Sequence, residues 1–375
     1  MKADIQSTLG ITAVVTGLLA FVGIGAANAL YGPSLPALSD RYALDGASAG
    51  LVLAAHGTGA FVAVAACLMP GLEARMRFRP AFALMMIGLG ALLIAGDLAW
   101  PFLLIGAFSI GIGFGLLTVG FNGLFARSFG NSSASMVNLL NAVYGIGAIF
   151  APIVFVYSGG SPSFAFGALA ILAFFVVPMA LVVDDRSDHV AAAGASATTS
   201  RAGAKRSIMP MAFMFFAVGA EAAIIGWGPT ILIARGSDAL EAATAVSWFF
   251  VVFLVARLVA VLVASFLTYR TLALSALLAL VCCCALAATA QNATTWFAAM
   301  GIVGVVFPNA FGWLSRLLED APGGDARIVV SALAGNALIP PLLGVSTTVI
   351  GEAALFAAIA AVLAITGAVG LAVRR

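Results

Sequence analysis

Charge is what this sequence has least of. Only 9% of its 375 residues are Asp, Glu, Lys or Arg, while 63% are hydrophobic; soluble domains carry roughly 25% charged residues. So little polar surface cannot cover a water-soluble core of this size, and the solvent of the folded chain is therefore lipid. Histidine occurs twice and cysteine four times. Cys67 and the run Cys282-Cys283-Cys284 all sit inside apolar stretches, which argues against a disulfide framework, and no Cys/His pattern has zinc spacing. No glycine-rich phosphate loop of the Walker type is present. These absences argue against ATP drive, an enzyme, a metal or cofactor site and a nucleic-acid partner; the net charge of +2 offers no basic surface of note.

What the chain has instead is a succession of long apolar runs. A bilayer-spanning helix needs about 20 such residues. Spans are expected at 9–31, 47–69, 80–97, 102–125, 134–157, 162–183, 208–233, 242–267, 272–290, 294–315, 328–350 and 352–373. The first is followed by many more, so it reads as a membrane helix and not as a cleaved signal. The 97–101 and 350–352 turns are tight and make hairpins of their helix pairs. The 41 glycines suit helices that pack closely in lipid through small residues.

Basic residues set the orientation, since cytoplasmic loops hold an excess of Lys and Arg. With the N-terminus inside, the inner loops and termini hold Lys2, Arg75, Arg77, Arg79, Arg127, Arg186, Arg201, Lys205, Arg206, Arg270, Arg316, Arg327, Arg374 and Arg375. The outer loops hold Arg41 and Arg235 alone, and Arg257 falls within a helix. Both termini are expected in the cytoplasm of a multi-pass cell-membrane protein, in a bacterium the inner membrane.

The stretch 184–207 is polar, small and flexible in composition, and its His189 reads as solvated. It is expected to be a cytoplasmic linker between a six-helix bundle at 1–183 and a second at 208–375. The halves echo each other. Tyr31-Gly32-Pro33 closes the first expected span and Trp227-Gly228-Pro229 ends the seventh helix; Asn141-Ala142 lies in the fifth and Asn336-Ala337 in the eleventh. Two features with nearly one offset, on a plan of six helices, linker and six helices, point to parallel repeats about an axis along the membrane normal. The expected fold is all-α integral membrane, twelve helices in two pseudo-symmetric bundles.

The loop between the second and third spans, Pro70-Gly-Leu-Glu-Ala-Arg75-Met-Arg77-Phe-Arg79-Pro80, resembles the major facilitator loop GxLaDrxGrr. Ala74 replaces its Asp and Arg77 its second Gly, so the gating role the resemblance implies for Arg75, Arg77 and Arg79 lacks the usual acid unless Glu73 supplies it. Val218-Gly-Ala-Glu221 with Trp227, then Ser247-Trp248-Phe249 and Arg257, is similar to the fucose and glucose/galactose–proton symporter branch. So are Asn141, Gly145, Gly147 and Pro152 in helix five, and Gly335-Asn-Ala-Leu-Ile-Pro340 in helix eleven. Some members of that branch carry acids in helices one and four; this chain has Gly25 and Asn28, and Asn122, there. The drug-antiporter pattern GxxxGPxxGG is absent from helix five, where Ala151-Pro152 runs on into Ile-Val-Phe-Val. A copper-importing branch uses Met and His at helical spacing; here Met209, Met211 and Met214 cluster at a helix entrance without a His–Met pair in helix eight.

An ionisable group in lipid is costly and marks function by default. At about 1.5 Å per residue, Glu221 lies about 20 Å and Arg257 about 15 Å from the cytoplasmic ends of adjacent helices, so the two side chains are placed to meet. They form either a static pair that locks the hairpin or a proton site: burial penalises the charged carboxylate, a neighbouring cation favours it, and separating the two would let Glu221 take up or release a proton. The amides Asn28, Asn122, Asn138, Asn141, Asn309 and Asn336 sit on helices that, by the resemblance, line or flank a central cavity, and as a set they suit a neutral polar solute; singly, each is as well read as a helix-to-helix bond. Tyr144 and Trp313 are placed on the same faces. Tyr31 and Trp227 suit the aromatic belt at the membrane interface, with Trp227 also a candidate to stack on a substrate ring. His56 reads as a packing residue, and Asp97 as interfacial. Gly228-Pro229, Pro308 and Pro340-Pro341 are expected to free backbone groups and bend their helices.

The function expected is secondary transport of a small polar solute, sugar-like by resemblance and coupled to protons, by a monomer. A metabolite or drug exporter or uniporter is the alternative, and a copper importer a more distant one.

Overall fold

A computed structural model describes residues 9–68, 79–183, 201–264, 266–319 and 323–373. Arg75, Arg77, His189 and residues 184–200 of the expected linker lie outside them. The described residues contain no strand.

Among the described residues, twelve helices follow one another: α1 Ile11–Tyr42, α2 Gly46–Leu68, α3 Pro80–Ala95, α4 Trp100–Ser128, α5 Ser133–Tyr157, α6 Pro162–Leu181, α7 Arg201–Ala234, α8 Ala239–Val263, α9 Tyr269–Thr289, α10 Ala293–Leu317, α11 Gly324–Ile350 and α12 Leu355–Ala372. All but α3 are long and apolar enough to cross a bilayer; α3 has 16 residues. In lipid a helix is stable because every backbone polar group between its ends is bonded within it. The ends need other partners. Pro80, Pro101 and Pro162 stand in the first turns of α3, α4 and α6, where no intrahelical N–H bond is lost. Asp238, Thr268 and Asn292 cap α8, α9 and α10 by accepting from backbone N–H groups one turn on.

Three expectations need correction. First, α1 does not stop at Tyr31, and the Trp227-Gly228-Pro229 triplet does not end α7. Both helices run through their prolines, to Tyr42 and Ala234. Pro229 has no N–H for the carbonyl of Ile225 one turn back, and that carbonyl lies against Gly32 of α1 at a distance only a glycine permits. The freed group is covered by a neighbouring helix, so the helix need not end. Second, α7 begins at Arg201, within the stretch expected as linker. Third, α10 is not continuous: Met300–Val305 is a 3₁₀ segment between two α-helical pieces, just ahead of Pro308.

Packing repeats between the halves. In the first, α1 packs on α5, α2 on α4 and α3 on α6; in the second, α7 packs on α11, α8 on α10 and α9 on α12. The halves meet where α2 lies on α11, α5 on α8 and α1 on α7. These seams lie toward the ends that carry Arg41 and Arg235. Gly46 of α2 faces the Thr347 side chain and the Gly344 carbonyl of α11, and Gly50 and Gly57 face the backbone of Pro341 and Ala337. The α5–α8 seam uses side chains: Ser247 Oγ donates to the Ile149 carbonyl at 2.9 Å, and Leu254 fills the space over Gly145. At the same ends Arg41 pairs with Asp97 at 3.0 Å, and Arg235 donates to the Ala288 and Ala290 carbonyls that close α9.

Candidate functional site

The prolines and glycines that shape the helices also place the polar side chains. Because α1 lies on α5 at Gly25, against the Tyr144 carbonyl, Asn28 one turn on reaches the Tyr144 hydroxyl, and its Nδ2 donates to it at 2.7 Å. Glu221 of α7 and Arg257 of α8 lie within electrostatic reach of that phenol and of each other. Four helices from both halves thus bring Asn28, Tyr144, Glu221 and Arg257 into one cluster.

Glu221 and Arg257 do not form an ion pair in this structure. The Arg257 Nε donates to the Gly304 carbonyl at 3.0 Å, and its guanidinium lies 4.3 Å from the centre of the Phe253 ring. Gly304 is one turn before Pro308 in the broken helix α10. Pro308 has no N–H to give it, so its carbonyl is free for the arginine. A charged donor on an orphaned carbonyl and an aromatic face beneath it hold the guanidinium well. The half-buried carboxyl of Glu221 is left with no hydrogen-bond or ion-pair partner among the described residues. Gly304 and Phe253 are absent from the site read from the sequence; the spacing of Gly304 to Pro308 is a signal that could have revealed the first.

The six amides do not form one ring of free groups. Asn122, Asn141 and Asn309 each donate Nδ2 to the carbonyl four residues back, Thr118, Val137 and Val305, at 2.8, 2.9 and 2.7 Å. Short polar side chains in helices readily make this local bond. Asn138 is exposed. Asn28 and Asn336 line a small cavity together with Tyr31 and His56.

The aromatic residues divide. Tyr144 belongs to the cluster. Trp227 and Tyr31 are 0% and 3% exposed, so neither is a belt residue. The Trp227 indole donates to the Pro340 carbonyl at 2.9 Å, and its ring edge sits between Gly50 and Gly344, inside the α2–α11 seam. Trp313 does not share a cavity with Asn309: its ring stacks edge-on against Phe213 at 5.6 Å and lies under the Arg270 guanidinium at 5.3 Å. Arg270 also donates to the Gly370 and Leu371 carbonyls, so Trp313 packs at the end of the bundle near the C-terminus. Arg79 is exposed just before α3. Among the described residues no three His, Cys, Asp or Glu side chains stand close enough to share a metal ion.

Comparison with known proteins agrees with this architecture. The family model described as Major Facilitator Superfamily matches residues 17–337. No curated protein matches by sequence. Among solved structures, a mutant of the nucleoside transporter NupG aligns with a TM-score of 0.76 at 15% identity, over 97% of this chain and 100% of that one. A D-xylose–proton symporter aligns at 0.74 and 11% identity, over 96% of each chain. The fucose:proton symporter FucP of E. coli aligns at 0.63 and 18% identity, over 97% of this chain and 99% of that one.

Proposed function

Because the chain belongs to the major facilitator superfamily, we propose that it is a proton-coupled symporter that moves a small, neutral, hydroxyl-rich solute across the cell membrane by alternating access. The observation that carries the coupling is the Glu221 carboxyl: it lies at the junction of both halves, with no bonding partner among the described residues, beside an arginine bound elsewhere. A carboxyl in that setting is neutral when protonated and strongly drawn to Arg257 when ionised. Taking up a proton leaves Arg257 on the Gly304 carbonyl; losing it pulls the guanidinium toward Glu221 and releases the bend of α10. The two bundles, 1–183 and 208–375, rock about this point with 184–207 as their tether. With both termini in the cytoplasm, the seams at Gly46, Gly50 and Gly57 close the outer face, and the arrangement is the one that releases solute inward.

The solute class is supported by the uncharged donors and acceptors near the cluster, Asn28, Tyr144 and Asn336, and by the pentose-, fucose- and nucleoside-carrying proteins that share the fold. A monomer contains every element that this mechanism uses. The test is uptake into proteoliposomes under an imposed inward proton gradient, with labelled pentoses, hexoses and nucleosides. We expect gradient-driven accumulation of one class by the wild type. Glu221→Gln abolishes it and keeps solute exchange. Accumulation that survives the substitution removes Glu221 from coupling, and movement indifferent to the gradient for every solute makes the protein a uniporter or an exporter.

A further inference from the structure

A second polar place lies between the outer seal and Glu221. A cavity of about 30 Å3 is lined by Asn28 and Tyr31 of α1, His56 of α2, Asn336 and Pro340 of α11, and the Ala222 turn of α7. Tyr31 and His56 are 3% and 6% exposed, and their rings stand 4.9 Å apart. Neither the Tyr31 hydroxyl nor the His56 Nδ1 has a hydrogen-bond partner among the described residues. Buried polar groups are nearly always bonded, to protein or to ordered water.

Tyr31 and His56 line one space, and each leaves a polar atom unbonded; together they call for a ligand that both donates and accepts. The space admits a water molecule, which needs about 10–15 Å3 by this measure and two to four polar partners, and it excludes a sugar ring. Two amides complete the partners. We infer that the cavity is a hydration site whose water bridges Tyr31 and His56 and ties the first half of the protein to Asn336 of the second. Asn28 joins it to the coupling cluster, because the same side chain donates to Tyr144. On the alternating-access reading, parting α2 from α11 removes one wall, so the water belongs to the outward-closed state and holds it shut.

Pulsed X-ray radiolysis with mass spectrometry tests this on the full chain in lipid nanodiscs, whether or not the protein transports anything. Radicals born from a bound water oxidise the side chains that touch it. Tyr31 and His56 should be modified despite their burial, and Phe249 and Phe250, equally buried at 0% and in apolar surroundings, should not. Ala222→Val adds two carbons to the cavity and should abolish modification of Tyr31 and His56 while sparing exposed residues. The double variant Tyr31→Phe, His56→Leu removes the groups that hold the water and should abolish modification of Leu53, which lines the same cavity. Wild-type Tyr31 and His56 as inert as Phe249, or labelling unchanged by Ala222→Val, overturns the site. Loss of transport with labelling intact overturns the functional reading and leaves the water.

Discussion

The offset that relates Tyr31 to Trp227 also relates Gly25 of α1 to Glu221 of α7, and the offset from Asn141 to Asn336 relates Gly113 of α4 to Pro308 of α10. At Gly25 the first half sets one helix directly on the backbone of another, against the Tyr144 carbonyl; at the equivalent place the second half holds a carboxyl without a partner. At Gly113, α4 runs unbroken against the backbone of α3; near Pro308, α10 breaks and offers a carbonyl to Arg257. One pattern of helix contacts therefore serves two purposes. Glycine at these positions makes a stiff half, and acid and proline at the same positions make a half whose internal bonds can be exchanged.

Filling the stiff half should have the largest effect. Gly25→Ala drives a methyl group into the Tyr144 carbonyl, where no flexible side chain can give way; we expect a loss beyond the ~1–3 kcal/mol usual for an overpacked core, seen as a marked fall in thermal unfolding temperature in detergent. An unchanged temperature would break the comparison. Glu221→Ala, by contrast, should stop gradient-driven accumulation with no loss of thermal stability, since the carboxyl makes no bond to lose. Arg257→Lys keeps the charge but loses the planar donor that fits both Gly304 and Phe253; a cost of about 1.5–3 kcal/mol is expected for this charged hydrogen bond, read from the same melts, with transport slowed. The smallest effect belongs to Arg41→Ala at the bundle's rim. Its partner Asp97 is exposed, the pair is expected to contribute about 0–1 kcal/mol, and added salt should erase the difference from wild type.

Much of the fold was legible because bilayer thickness dictates the length of apolar runs, and most helix ends fall close to the expected spans. The early end expected for α1 has a local cause. Tyr31-Gly32-Pro33 reads as a stop, yet α1 runs on to Tyr42; α7 likewise runs through Pro229, whose freed Ile225 carbonyl lies against Gly32 of the neighbouring helix, and only the three-dimensional neighbour reveals this. At the site, Glu221 and Arg257 were visible as ionisable groups in lipid. Their separation was not, because it depends on a third helix supplying the Gly304 carbonyl. The amides were visible as a set, but a sequence does not distinguish an Asn that turns to its own helix, as Asn122, Asn141 and Asn309 do, from one that reaches across, as Asn28 does to Tyr144.

The place of Trp227 gives the protein an optical reporter of its own gate. Its indole is dry, hydrogen-bonded to Pro340 and clasped between Gly50 and Gly344, so it should emit toward the blue while the outer seam is shut. Any state in which α2 leaves α11 wets the ring edge and shifts that emission to the red. In a background where the other four tryptophans are phenylalanine, opening of the outer face becomes a colour change that can be timed by stopped flow, with no label attached.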